Sequence, residues 1–266
     1  MSHELQQVPL KGGRSLLASY SRAKTRSKSW LVFLPESGSD FRSGARGELD
    51  SLVGARIAKK YNFLVINKPG VALERTNRAE FESSFRRARR IDDALRALEI
   101  IVPKGHRIDL VGYSEGAYLA PQIARRESRV RTVSMIGGGT RGWLKEELST
   151  ASPRERVEYE KRIAEINRNP TERLRWNGFS YATWHSYRGD NTLRALRGLQ
   201  LPTLAILGAR DRVIDLKTTI VDLMLVSENQ PIQLHVFGEC GHDFTKHWLH
   251  VSRVLGRFLS DQVGLQ

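Results

Sequence analysis

Five consecutive residues, Gly112-Tyr113-Ser114-Glu115-Gly116, constrain this chain more than any other stretch. Before them, Ile108, Leu110 and Val111 read as a buried strand. After them, Ala117, Leu119, Ala120, Ile123 and Ala124 read as one face of a helix that starts at Glu115. The chain must turn sharply between the two, with a serine at the turn. A G-x-S-x-G at a strand-to-helix junction is the pattern that lifts a serine hydroxyl clear of the backbone, where a base can reach it. Gly112 and Gly116 have no side chains, so strand and helix can approach closely. Five letters are common by chance; the strand–turn–helix setting and the partner residues give them meaning.

Around this junction, strands and helices alternate. Leu5 to Leu10 and Ser15 to Tyr20 read as two opening strands joined at Lys11-Gly12-Gly13. Trp30-Leu31-Val32-Phe33-Leu34 reads as a fully buried strand, ended by the turn formers Pro35-Glu36-Ser37-Gly38-Ser39. Leu49, Leu52, Val53, Ile57 and Ala58 recur at helical spacing, and Asn62 to Ile66 is another strand. Phe81, Phe85, Ala88, Ile91, Leu95, Leu98 and Ile101 step by threes and fours, which predicts one amphipathic helix. Val130, Val133, Met135 and Ile136 form the next strand, closed by Gly137-Gly138-Gly139.

From Arg141 to Gly198 the rhythm breaks. This segment is polar, helix-prone from Lys145 to Asn167, and carries Trp143, Trp176 and Trp184. The rhythm resumes with a strand at Pro202 to Leu207, a helix around Lys217 to Leu225 and a strand at Ile232 to Phe237. The last helix places Phe244, Trp248, Val251, Leu255 and Phe258 on one face. This order implies an α/β fold with a mainly parallel, twisted sheet and helices on both faces. Residues 1–140 and 199–266 form the core. Residues 141–198 read as an insertion at the strand ends, a small helical cap over a site there.

The 266 residues can bury a sizeable core, and 40% hydrophobic with 27% charged residues is ordinary for a globular chain. Cys240 is the one cysteine, which excludes an intramolecular disulfide and a cysteine metal cluster and fits a cytoplasmic location. The first residues lack an apolar signal core, and no apolar run reaches the roughly 20 residues of a membrane span. Net charge is +14. Without a DNA- or RNA-binding motif, the arginines read as a solvated surface rather than a nucleic-acid site. The densest run, Arg86-Arg87-Ala88-Arg89-Arg90, is expected on a helix whose apolar positions face elsewhere.

A serine hydroxyl is protonated at neutral pH and needs a base held in place by a third group. Of seven histidines, His242 stands apart, in the glycine-flanked loop Gly238-Glu239-Cys240-Gly241-His242 after the final strand. The others fall at the terminus (His3), on strands (His106, His235), on the last helix (His247, His250) or in the insertion (His185). The acid is expected just past the strand ending at Leu207. Asp211 sits there, and Asp215 is the runner-up and the better helix cap. Two backbone N–H groups must face an oxyanion: that of Glu115, after the nucleophile, and one from the loop after the third strand, Ser37 or alternatively Glu36.

The order Ser114…Asp211…His242, with Gly112-Tyr113-Ser114-Glu115-Gly116, Gly208-x-x-Asp211-x-x-Ile214 and Gly241-His242 on the corresponding elements, resembles the α/β-hydrolase superfamily over nearly the whole chain. Within it the chain looks most like small bacterial serine esterases of the dienelactone-hydrolase or acyl-peptidase-like kind. One departure is visible: Pro35-Glu36 stands where the oxyanion loop commonly carries His-Gly.

The resemblance implies an α/β-hydrolase fold and a serine hydrolase, carboxylesterase-like, that cleaves a carboxylic ester or thioester through an acyl-serine intermediate. The alternatives are a peptidase or amidase on small acyl-peptides, and a non-catalytic binding protein on the same fold. A small-molecule acyl substrate is expected, with no metal and no cofactor. Gly137-Gly138-Gly139 lacks the G-x-G-x-x-G spacing, and no H-E-x-x-H is present. Tyr113, Trp143, Trp176 and Trp184 are candidates for an apolar substrate pocket; equally, the tryptophans serve as the insertion's own core.

Overall fold

Strand β3 (Ser29–Leu34) shows how the sheet divides the molecule. Trp30, Val32 and Leu34 point into one apolar cluster, and Leu31 and Phe33 into a second one on the opposite face. Strand β4 (Asn62–Ile66) repeats the split, Leu64 and Ile66 against Phe63 and Val65. Side chains alternate across a strand, so continuous apolar runs require both faces to be covered. The computed structural model describes residues 4–23, 26–38, 55–72 and 76–263.

Among the described residues the main sheet has eight strands. Besides β3 and β4 these are β1 (Glu4–Pro9), β2 (Ser15–Ser21), β5 (Arg107–Tyr113) and β6 (Val130–Ile136). The two-stranded hairpin β7 (Arg175–Trp176) and β8 (Phe179–Ser180) comes next, followed by the sheet strands β9 (Thr203–Gly208) and β10 (Ile232–Phe237). The order across the sheet is β1-β2-β4-β3-β5-β6-β9-β10. From β4 to β10 all neighbours are parallel; β2 pairs antiparallel with both β1 and β4. The serine-bearing strand β5 is central, so its carboxyl end opens onto loops from both halves of the sheet.

One face carries α1 (Ala55–Lys60) and α10 (Trp248–Val263), which contribute Ile57, Val251, Leu255 and Phe258 to its cluster. Of the helical spacing from Leu49 to Ala58, residues 49, 52 and 53 lie outside the described residues. Phe244 joins this cluster from a turn ahead of α10 rather than from the helix itself. The other face carries α2 (Arg78–Ser84), α3 (Arg87–Ile101), α4 (Glu115–Ala124) and most of the segment between β6 and β9. That segment holds α5 (Trp143–Thr150), α6 (Pro153–Arg168), the β7–β8 hairpin, α7 (Tyr181–Tyr187) and α8 (Thr192–Arg197). Helix α9 (Leu216–Ser227) joins β9 to β10.

One expectation about helices fails. The spacing from Phe81 to Ile101 predicts one helix, but the backbone breaks at Phe85 and Arg86, and Arg86 is extended. The break lets Phe85 sink among Phe81, Phe179, Trp143 and Tyr187. The Arg86 guanidinium then donates to the carbonyls of Glu82 and Phe85 at 2.9 and 2.8 Å, which α2 leaves without helical partners. The helix-prone stretch from Lys145 to Asn167 is helical, in two pieces, α5 and α6. Ser152 and Glu155 form a reciprocal cap with Pro153 in the first turn, which starts α6 afresh.

The basic run at the start of α3 is not a solvated face. Arg90 is fully buried, Arg86 and Arg87 are half-buried, and only Arg89 of the four is exposed. Arg87 Nε donates to Asp190 at 3.0 Å, across 103 residues of chain. Helix α7 and the turn after it cover this end of α3, which the periodicity of α3 alone does not reveal.

Candidate active site

Ser114 sits at φ 51°, ψ −114°, a backbone conformation that non-glycine residues rarely adopt. The turn is as tight as the glycines imply. A methyl group on Gly112 would lie 2.2 Å from the Gly116 carbonyl oxygen, and one on Gly116 would lie 2.0 Å from the Leu34 oxygen at the end of β3. Both positions are therefore closed to any larger residue. The strained serine and its two flanking contacts put the hydroxyl at the carboxyl edge of the sheet.

Two loops from the same edge meet it. At the end of β9, Gly208 lies against the backbone of Cys240 and Gly241, and Arg210 N–H donates to the Cys240 carbonyl at 2.8 Å. These contacts join the loop after β9 to the loop after β10. Ser114 Oγ is 2.9 Å from His242 Nε2, and His242 Nδ1 is 2.9 Å from Asp211 Oδ2. The Asp211 side chain is completely buried, whereas that of His242 is 23% exposed. The other Asp211 oxygen accepts from Val213 N–H at 2.8 Å and Ile214 N–H at 3.3 Å. Asp215, the runner-up acid, caps α9 by accepting from Thr218 N–H at 3.1 Å.

Tyr113 is buried beneath the histidine loop. Its hydroxyl donates to the His242 carbonyl at 3.2 Å, and its ring stacks near the imidazole, 6.3 Å between centroids. Neighbouring Cys240 is buried, and desolvation pushes its thiol up to about 11, so it stays protonated at neutral pH. On α5, half-buried Glu147 lies within electrostatic reach of His242. Burial raises its carboxyl above the ordinary range, opposed by a hydrogen bond from Trp143 and by His242.

Trp143, Trp176 and Trp184 lie together. Trp184 is 4.7 Å from Trp143 and 4.9 Å from Trp176 between ring centroids. Phe85, Phe179 and Tyr187 complete the cluster around Trp143. Trp143 and Trp184 are buried, and Trp176 is half-buried and edge-on to Tyr159.

Sequence reasoning assigns Glu115 a backbone role, yet its side chain has one too. The carboxylate turns inward, accepting from Tyr187 Oη at 2.5 Å and from Arg90 Nη2 at 3.3 Å. The Arg90 and Glu115 side chains are fully buried at 0% and 1% exposure. This pair ties the residue beside the nucleophile to α3 and α7. The only sequence signal for it is an acidic residue inside an otherwise apolar junction. On the other flank, Ser37 and Glu36 follow β3 beside the elbow. The Glu36 carboxylate folds back over Gly38, whose carbonyl accepts from buried Lys68 Nζ at 2.7 Å. Among the described residues, no group of three or more His, Cys, Asp or Glu side chains is placed to hold a metal ion, and no helix is long and apolar enough to cross a membrane.

No protein-family model matches the sequence, and no curated protein matches it. Solved structures do match in fold. Mouse alpha/beta hydrolase domain-containing protein 10 superposes with TM-score 0.69 at 13% identity over 98% of each chain. Est1E from Butyrivibrio proteoclasticus does so with TM-score 0.68 at 8% identity, over 98% of this chain and 99% of that one. The acylaminoacyl peptidase of Pyrococcus horikoshii gives 0.69 at 15% identity, with 98% of this chain matching 41% of that one.

Proposed function

We propose that this chain, which has the α/β-hydrolase fold, is a serine hydrolase that cleaves a carboxylic ester or thioester through an acyl-serine intermediate. The observation that carries this reading is the hydrogen-bonded series Ser114–His242–Asp211, 2.9 Å at each step, starting from a strained serine. Ser114 Oγ attacks the carbonyl carbon while His242 Nε2 takes its proton. Asp211 accepts from Nδ1–H, fixing the tautomer and stabilising the imidazolium. The imidazolium then gives its proton to the departing alkoxide or thiolate. A water, deprotonated by the same nitrogen, releases the acid and restores Ser114.

Negative charge on the carbonyl oxygen needs donors already in place. Glu115 opens α4, so its N–H has no acceptor within the helix and supplies one donor. Ser37 N–H supplies the second; the contact of Gly116 with Leu34 supports this by starting the 35–38 loop beside the elbow. Residues 141–198 act as the cap, with α5 carrying Glu147 toward His242. The tryptophans shape the apolar wall beneath that helix, and Tyr113 supports the base.

Hydrolysis of a short-chain p-nitrophenyl ester tests the reading. Ser114→Ala is expected to lower kcat by ~10³-fold or more, with Tm moved by no more than about 2 °C. An alanine variant as active as the parent overturns it. Running matched ester, thioester and anilide substrates separates the esterase reading from the peptidase one.

A further inference from the structure

Glu146 lies on α5, outside the triad and outside the sheet, and it is fully buried. A carboxylate there is costly unless its oxygens are satisfied. Two backbone N–H groups from separate loops meet it. Arg141 N–H, just ahead of α5, donates to Oε1 at 3.1 Å, and Asp215 N–H, just ahead of α9, donates to Oε2 at 2.7 Å. The second contact is the informative one. Asp215 closes the stretch that begins at Asp211, and Asp211 Oδ1 itself holds the N–H groups of residues 213 and 214. Three successive amides of the loop therefore point at two carboxylates, one belonging to the loop and one delivered by α5.

The exit of β6 packs on the same carboxylate. A methyl group on Gly139 would lie 1.9 Å from Glu146 Oε1, while one on Gly137, two residues earlier, would lie 3.6 Å from the His242 ring. The Glu146 carboxylate thus touches the turn beneath the base and the loop that carries the acid. We infer that Glu146 is a positioning residue: it clamps the 211–215 loop to the 137–141 turn and so sets where Asp211 meets His242. The inference rests on the triad reading above and extends it, because it draws a fixed element of the reaction centre from the inserted segment.

Facing groups agree with a loaded clamp. Burial pushes Glu146 up to about 7, further raised by Asp215 and opposed by the two backbone donors and by Arg141. Tyr118, buried on α4, faces it as well, and its phenol is raised by burial and by Glu146. A buried acid whose two oxygens accept backbone N–H groups is retained here where an apolar side chain would pack more cheaply.

The experiment is a double-mutant cycle on p-nitrophenyl ester hydrolysis, below the Tm of every variant. Glu146→Gln keeps size and one acceptor; it is expected to lower kcat about 10- to 100-fold, as displaced catalytic groups do, with KM within about twofold. In the Asp211→Asn background the same change is expected to cost less than about twofold, because Glu146 acts through Asp211. Equal losses in both backgrounds, or a parent-like kcat in Glu146→Gln, overturn the inference. Should the variant fail to fold, amide exchange at Asp215 in the parent decides: protection matching the interior of α9 supports the clamp, and exchange as fast as an exposed loop removes it. A Ser114→Ala protein with parental activity would defeat the hydrolase reading and this one together. A dead Ser114→Ala beside equal Glu146 losses defeats the clamp alone.

Discussion

Glu115→Gln removes one charge and almost no volume, so its consequence is worked from the pair it breaks. Arg90 and Glu115 are both fully buried, and Arg90 Nη1 also donates to the Asn67 carbonyl at 3.3 Å. Glutamine keeps an oxygen for the Tyr187 hydroxyl but leaves the guanidinium without a counter-charge. Removing one partner of a buried ion pair typically costs about 3–5 kcal/mol. A chain of 266 residues loses roughly 2 °C of Tm per kcal/mol, so Tm should fall by ~6–10 °C. Calorimetry reads this directly, with urea unfolding as a check that the unfolding slope is unchanged. The second half of the test is Arg90→Met in the Glu115→Gln background. With both charges gone, most of the lost stability should return, since an apolar replacement for a buried pair is often neutral. A neutral Glu115→Gln, or a double variant no more stable than the single one, refutes the reasoning. The kcat of a folded Glu115→Gln should stay within about tenfold of the parent, because the proposed oxyanion donor is the backbone N–H.

Two further outcomes follow from the same geometry. Asp211→Asn presents an amide to His242 Nδ1 and favours the wrong tautomer; kcat should fall by ~10³- to 10⁴-fold while KM barely moves, read on the p-nitrophenyl ester. Glu146 makes stability depend on pH in a known direction. Its carboxyl goes from 4.5 in the unfolded chain to about 7 in the folded one, so the folded state holds the proton more tightly between those values. Its contribution is present in full below pH 4.5 and is lost as pH rises through 7, by about 3 kcal/mol. Urea unfolding at pH 5 and pH 8 should show that fall in the parent and not in Glu146→Gln.

Much of the architecture was legible in the residues because it rests on local patterns. Trp30 to Leu34 is apolar on both faces, which only a covered strand tolerates. Ser114, Asp211 and His242 each follow a strand whose end is marked by glycine or turn formers, and parallel strands bring such ends to one edge. Features set by distant partners were not legible. Periodicity carried Phe81 to Ile101 as one helix because both pieces face the same core. The break depends on aromatic residues 58 to 102 positions later in the chain, Trp143 to Tyr187. Arg90 reads as one more surface cation until Glu115 and Tyr187 are placed beside it, and Glu146 reads as ordinary helix surface until the 211–215 loop lies under it. Buried charge is a property of which elements meet, and a single chain pattern does not carry that.

The central claim is that Ser114 is a nucleophile activated by His242. Intact-mass and peptide analysis after exposure to a fluorophosphonate measures it most directly. The parent should gain one phosphonyl group on the peptide containing Ser114, Ser114→Ala none, and His242→Gln should label far more slowly. A parent that remains unmodified, or a Ser114→Ala protein labelled at the parental rate, contradicts the account.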